Sequence, residues 1–282
     1  MLMHFQFRSF LPENTSFRAM HKTQISSTAP DHHDYHPHYE LYYFDKFVKQ
    51  DVVINGQLVC VDQPCVIISA PFSIHGMSLT GATSTDFERY VLYFDDRFLA
   101  SFNDSLLPLG TLRKSSNCVY PLTEEQNHTV KQLFELLLSA SEHYPECCAY
   151  FAAIVNSVVR FVPPEKRITK SSASYYIVDV LKYIYENKNT SVNADTISEQ
   201  FHVSRAKLDR DFRKFVGQSI HKTVIDCRLN YATELLTGTD MQIREIATIC
   251  GFESEYYFYA FFKRNTGKTP SAVRKTKAFG QM

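Results

Sequence analysis

Near the carboxyl terminus, hydroxyl, basic and aromatic side chains recur at one fixed spacing. From Ser204 the chain reads SRAKLDRDFRKFVG, and from Ser254 it reads SEYYFYAFFKRNTG. In register, Leu208 matches Phe258, Phe212 matches Phe262, Arg213 and Lys214 match Lys263 and Arg264, and Gly217 matches Gly267. A hydroxyl cap followed by a helix with one apolar stripe and one cationic face can enter a major groove, where guanidinium groups donate to base edges and to phosphates. The first copy offers Arg205, Ala206, Lys207, Asp209, Arg210, Arg213 and Lys214 to such a surface. The second offers Ser254, Glu255, Tyr256, Tyr259, Lys263 and Arg264. Arg210 could donate bidentately to guanine or pair with a phosphate, whereas Arg213 and Lys214 suit phosphate anchoring. The position matching Arg210 is Ala260. Base reading by the second helix is therefore expected to be weaker and to depend more on phosphates and DNA shape. Leu208, Phe212, Phe258 and Phe262 read as core.

A second group with chemical potential lies near the amino terminus. On a strand, His36, His38 and Glu40 would share a face, and His75 in PFSIHG could return to it from a later strand. Two readings stand side by side. The imidazoles and the carboxylate could hold zinc or iron, or, with Tyr42, they could line a pocket for a small molecule. The expectation is a pocket, with no metal and no cofactor. Tyr35, Tyr39, Tyr42 and Phe44 could offer ring faces to the same ligand or simply fill the interior. His32 and His33 read as a solvated loop.

A chain of 282 residues accommodates about two domains. Its 30 basic and 30 acidic residues balance overall, but not locally. Residues 174–282 hold 16 Lys+Arg against 12 Asp+Glu, which leaves 14 against 18 for the rest. A modestly basic carboxyl-terminal half beside an acidic half suits a nucleic-acid binder joined to a part that touches no DNA. The seven cysteines lack metal-type CxxC spacing and read as small core residues or thiols of a reducing compartment. Without an 18-residue apolar run or a signal-type apolar segment, the expected location is the cytoplasm, with no membrane partner.

The elements that must position these residues divide into three stretches. Short apolar or alternating runs at Tyr39–Phe44, Val52–Ile54, Leu58–Val61, Cys65–Ser69 and Arg89–Phe94 predict strands of a sandwich or small barrel, with Asn55-Gly56 as a hairpin turn. Between 123 and 162 the period becomes helical. Val130, Leu133, Phe134, Leu137 and Leu138 form one stripe; Phe151, Ile154, Val155, Val158 and Val159 form another. Two helices separated by Pro145 are expected, one packing on the sheet domain and the other partly on a second subunit of a homodimer. Pro163-Pro164 ends the second helix, and EKRITKSSAS supplies a linker. From Tyr175 everything reads helical. A first helix spans about 176–187, Asn193 caps the next, Ser204 caps the first basic helix, and a long helix over 219–236 stops at Gly238. The second unit starts near Ile243, turns at Gly251-Phe252 and restarts at Ser254. The domain boundaries are thus 1–162, 163–174 and 175–282.

The run Ser191 to Arg274 resembles the AraC-type (AraC/XylS) family of bacterial transcription regulators. The resemblance rests on Gly251-Phe252, Phe258 and Phe262 at their spacing, followed by Gly267-Lys268-Thr269-Pro270, and on Arg228-Leu229 in DCRLNYATELL. It implies an all-α carboxyl-terminal domain with two helix-turn-helices bridged by a long helix, inserting into successive major grooves on one face of double-stranded DNA. HPHYEL, PFSIHG and FERYVLYF resemble the cupin-like ligand-binding half of the same regulators. That implies an amino-terminal cupin-like β-barrel with two accessory helices, sensing a small-molecule effector. The expected function is ligand-responsive transcription regulation, as an activator working with RNA polymerase, and not catalysis. The alternatives are a metal-dependent cupin enzyme fused to a DNA-binding domain, and an effector-independent DNA binder.

Overall fold

The computed structural model describes residues 4–7, 11, 15–22, 32–46, 50–54, 57–78, 88–107, 109–114, 117–140, 144–169, 175–190 and 192–279. The chain divides into two compact units, one made mainly of Thr15–Ala173 and the other mainly of Ser174–Met282.

The amino-terminal unit contains two sheets. One has the spatial order His4–Phe7, His32–Tyr35, His75–Ser78, Gln50–Ile54, Gln57–Val61. The other runs Ile168–Thr169, Cys118–Pro121, Cys65–Ser69, Tyr39–Lys46, Glu88–Phe94, Phe17–Lys22. The five runs read as strands from the sequence lie within these strands. His32–Tyr35 and Phe17–Lys22, polar and weakly patterned, are additional; they owe their form to neighbours already in place. Asn55-Gly56 lies outside the described residues, although Ile54 stands opposite Gln57 as a two-residue hairpin requires. Among the described residues no pairing joins the two sheets into a closed barrel.

Alternation along Tyr39–Lys46 sorts side chains between two cores. Tyr39, Leu41 and Tyr43 point to one face, where they pack with Val66, Ile68, Leu92 and Phe94 against helices. Phe44, with Tyr42 beside it, points to the other face and meets Val52, Ile54, Val59 and Val61 of the second sheet. Tyr39 therefore cannot share a ligand with Tyr42; it stacks on Phe94 at 5.2 Å. Cys65–Ser69, central and covered on both faces, is buried throughout, which explains its unbroken apolar run.

The helices Glu124–Ser139 and Tyr144–Phe161 cover the first face. Thr123 and Gln126 form a capping box at the start of the former. Pro145 does not separate the helices as expected but sits in the first turn of the second, where its missing N–H leaves no bond unmade. Val130, Phe134, Leu137, Phe151, Ile154, Val155 and Val158 are all buried, with Leu133, Leu138 and Val159 packed around them. Most of both stripes is covered within this unit, with Leu133, Leu138 and Val159 only partly buried. The expected linker is also partly structured. Pro164–Lys166 forms a 3-10 turn, Ile168–Thr169 pairs with Cys118–Val119, and Arg167 donates to the Val162 and Val159 carbonyls. Residues 170–174 lie outside the described residues.

The second unit is helical: Tyr175–Glu186, Ala194–Gln200, Arg205–Val216, Ile220–Gly238, Ile243–Ile249, Glu255–Thr266 and Pro270–Phe279. Gly238 is the last residue of the long helix rather than its stop. Thr239 ends it, with its N–H and its hydroxyl both donating to the Leu235 carbonyl. The core of the second half joins Leu229, Ala232, Leu235 and Leu236 to Ile246, Ala247, Phe258 and Phe262.

Candidate functional site

Each basic helix is built by the same local rules. Asn193 caps Ala194–Gln200 with its side chain, in a reciprocal pair with Thr196. After a short turn Ser204 caps Arg205–Val216 by accepting from Lys207 N–H at 3.3 Å. Ser254 caps Glu255–Thr266 in the same manner, accepting from Tyr257 N–H at 3.3 Å. Gly217 and Gly267 end the two helices at φ 76° and 74°, a left-handed conformation that glycine adopts without a Cβ clash.

The apolar stripe of each helix is buried at matched positions: Leu208 and Phe212 in the first, Phe258 and Phe262 in the second. The opposite faces also match. Arg205, Ala206, Lys207, Arg210, Arg213 and Lys214 are exposed, as are Glu255, Tyr256, Tyr257, Ala260, Lys263 and Arg264. Asp209 and Tyr259, at matched positions, turn half inward, as does the cap Ser254. Tyr259 shares a 2.7 Å hydrogen bond with Ser271 and so braces the last helix rather than facing outward. Tyr257 was not among the sequence candidates, yet it matches Lys207 and stands 67% exposed. The repeat register could have found it, since the position one turn before Phe261 is fixed by the buried pair Phe258 and Phe262.

Acidic partners hold part of the first basic face. Arg205 pairs with Asp195 and Asp209, while Lys207 reaches Asp211 and lies 4.8 Å above the Tyr176 ring. Hydrogen bonds from Lys207 and then Tyr176 hold Asp211 down at about 2, so it stays charged at neutral pH. Arg210 is 71% exposed with a single contact to Asp211 at 3.3 Å.

In the amino-terminal unit, strands from the two different sheets bring His75 and Glu40 together. Glu40 stands between Ser69 and Tyr93 in the six-stranded sheet, and His75 begins its strand in the five-stranded sheet. His75 Nε2 lies 2.6 Å from Glu40 Oε2, His36 Nε2 lies 2.9 Å from the same oxygen, and the two ring nitrogens are 3.1 Å apart. The expected shared strand face is not how this happens, because the strand begins only at Tyr39. His38 instead stacks on His36 at 4.9 Å, outside the triangle. His36, His38, Glu40 and His75 are all buried, with Tyr42 half-buried nearby, so they form an interior cluster rather than an open mouth. Burial drives His38 down to about 3, leaving it neutral. Burial opposes charge on Glu40, but hydrogen bonds from His36 and His75 outweigh it and keep the carboxyl well below its ordinary range. His32 and His33 belong to a strand, not a loop.

A family model described as a helix-turn-helix domain matches residues 197–276. That stretch is similar to AraC-type helix-turn-helix domains. The xylose operon regulatory protein of Escherichia coli strain K12 is 30% identical over 119 residues, covering 40% of this chain and 30% of that protein. The Msm operon regulatory protein of Streptococcus mutans is 31% identical over 107 residues, 38% of each chain. The matches thus span about a third of these relatives' length. A solved structure of ToxT from Vibrio cholerae aligns over 92% of this chain and 98% of its own, at 15% identity and a TM-score of 0.45.

Proposed function

We propose that this chain is a sequence-specific, AraC-type DNA-binding transcription regulator that responds to a small-molecule effector. The observation that carries it is the pair of capped helices with matched buried stripes and matched outward faces, each preceded by a short helix and a turn. The helix-turn-helix family model spans residues 197–276, which contain this pair. Binding would place both helices in successive major grooves of double-stranded DNA. Arg210, Arg213 and Lys214 would serve the first contact, with Lys263 and Arg264 anchoring the second.

The two-sheet unit is assigned the sensing role, as an open cupin-like sandwich rather than a closed barrel. His36, His38, Glu40, Tyr42 and His75 would form the polar part of its interior. Activation in concert with RNA polymerase, a cytoplasmic setting and the absence of catalysis belong to the same reading. No helix among the described residues is long and apolar enough to cross a membrane. A homodimer also belongs to it, though its contact would use exposed side chains such as Leu136 rather than the buried stripes. Residues 1–162 would act as the sensing domain, 163–174 as the connection and 175–282 as the DNA-binding domain.

Selection of binding sites from random DNA, repeated with candidate metabolites, tests this reading. Enrichment of a site with two half-contacts one helical turn apart supports it. No enrichment would end it, and a site whose affinity never responds to any metabolite would leave DNA binding without sensing.

A further inference from the structure

The triangle formed by His36, Glu40 and His75 contains a contradiction that hydrogen bonding alone does not resolve. His36 Nδ1 lies 3.0 Å from the His38 carbonyl, and His75 Nδ1 lies 2.9 Å from the Ser73 carbonyl. A carbonyl only accepts, so both Nδ1 atoms carry hydrogen and donate. In the neutral rings both Nε2 atoms are then bare lone pairs. These two lone pairs and the Glu40 Oε2 converge on one point, with separations of 2.6, 2.9 and 3.1 Å. All three side chains are buried, so water does not dilute the repulsion.

One proton on His75 relieves two of the three contacts and leaves His36 Nε2 facing Glu40 Oε2, acceptor to acceptor. A cation at the centre relieves all three. Anchoring of the distal ring nitrogen by a backbone carbonyl is also how metal-binding histidines are oriented. The sizes agree: donors about 2.1 Å from a metal lie about 3.0 Å apart at right angles and about 3.4 Å apart in a tetrahedron. The observed triangle matches a face of an octahedron. Glu40 Oε1 and the Ser69 hydroxyl are among the buried atoms with no hydrogen-bond partner among the described residues. Ser69 is the direct cross-strand neighbour of Glu40. A bound ion is one explanation of a buried polar group left unpaired.

We propose that His36, Glu40 and His75 bind one divalent first-row transition metal between the two sheets, through two imidazole nitrogens and one carboxylate oxygen. Two histidines and a carboxylate on one face of an octahedron favour iron(II), and zinc accepts the same donors. His38 stays outside the coordination set and packs on the His36 ring. The site stands independently of the DNA-binding reading, since it uses only residues of the amino-terminal unit.

The full-length chain is tested directly, loaded in turn with zinc(II), cobalt(II) and, without air, iron(II). The expected result is one equivalent per chain by elemental analysis, with a visible ligand-field spectrum for cobalt. Stoichiometric binding should be lost in His75→Ala and in Glu40→Gln, and kept in His38→Ala. Folded wild-type protein that retains none of the three ions overturns the proposal and leaves a shared proton as the occupant. Retention by both variants overturns it as well. Should the variants fail to fold, X-ray absorption at the metal edge of the wild type decides. Nitrogen and oxygen donors including two imidazoles support the site, and sulfur donors refute it by placing the ion at a cysteine.

Discussion

Gly251, in the turn of the second helix-turn-helix, presses against the backbone of Asn189, which belongs to the first half of the same unit. A Cβ at Gly251 would stand 2.4 Å from the Asn189 carbonyl oxygen, and φ there is +78°. Both the contact and the dihedral angle exclude a side chain. Arg228, from the long connecting helix, fixes the same segment by donating to the Lys188 carbonyl at 2.9 Å and to the Thr190 carbonyl. The two halves are therefore registered through backbone contacts, which leave little tolerance for displacement. Gly251→Ala is expected to destabilise the protein by about 1–3 kcal/mol, the scale of a strained left-handed residue. Thermal unfolding measures this. DNA affinity should fall further than the loss of folded protein explains, because the spacing of the two outward helices changes. A variant with wild-type melting and binding would refute the registration.

The outward face of the first helix makes a separate prediction. Arg210 has one internal tie, to Asp211 at 3.3 Å, whereas Arg205 and Lys207 are held by Asp195, Asp209 and Asp211. Arg210→Ala should cost about 1–3 kcal/mol on a selected site and relax preference at one base. Lys263→Ala should weaken all sequences evenly and reduce the salt slope by about one. Titrations at several salt concentrations separate the two effects; equal loss on specific and random DNA for Arg210→Ala would make it a phosphate contact.

In the amino-terminal unit, Asp45 ties the central strand to the helix Glu124–Ser139. It accepts from Lys131, Asn127 and Tyr43. Burial disfavours its charge, but the hydrogen bonds from Lys131 and Asn127 outweigh that and lower its pKa from the ordinary value. The sign follows from linkage. A depressed carboxylate contributes stability above its unfolded pKa near 4, and that contribution is lost as pH falls through the lower folded value. Asp45→Asn should therefore lower the melting temperature at pH 7, with the gap from wild type closing below about pH 4. Melting curves across pH test it. A gap that persists unchanged into acid would assign Asp45 a packing role instead.

What the sequence disclosed depended on how local the governing physics is. Caps, stripes and terminal glycines are set within one or two turns, so the second unit could be read almost residue by residue. Pro145 misled because the same residue both separates helices and starts them. The spacing of the two stripes on the accessory helices shows that a face is apolar, not what covers it; most of it is covered within the same unit. The interior cluster lay between these extremes. His36, Glu40 and His75 could be selected by type, but their convergence depends on a pairing between sheets that no local pattern encodes. His38, which fits the same alternation, stacks its ring on His36 outside the triangle.

The second outward helix lacks a guanidinium at Ala260, so its first turn must supply any base contact it makes. Tyr256 is 79% exposed and Tyr257 67%, with their rings 5.9 Å apart and edge to face. Two such rings held out in water by a capped helix have an apolar body and a hydroxyl tip, suited to thymine methyl groups and phosphates respectively. Tyr257→Ala is expected to cost about 1 kcal/mol, at the lower end for a single base contact, with preference relaxed only in the distal half-site. Tyr257→Phe separates the two parts of the ring, since it should retain the apolar share and lose the hydroxyl bond. Ala260→Arg should tighten binding in general and sharpen preference at a guanine of the distal half-site, because the matching residue in the first helix is Arg210. Site selection with each variant reads all three outcomes. If the distal half-site is indifferent to Tyr256, Tyr257 and Ala260 alike, the second helix anchors through Lys263 and Arg264 and does not read sequence.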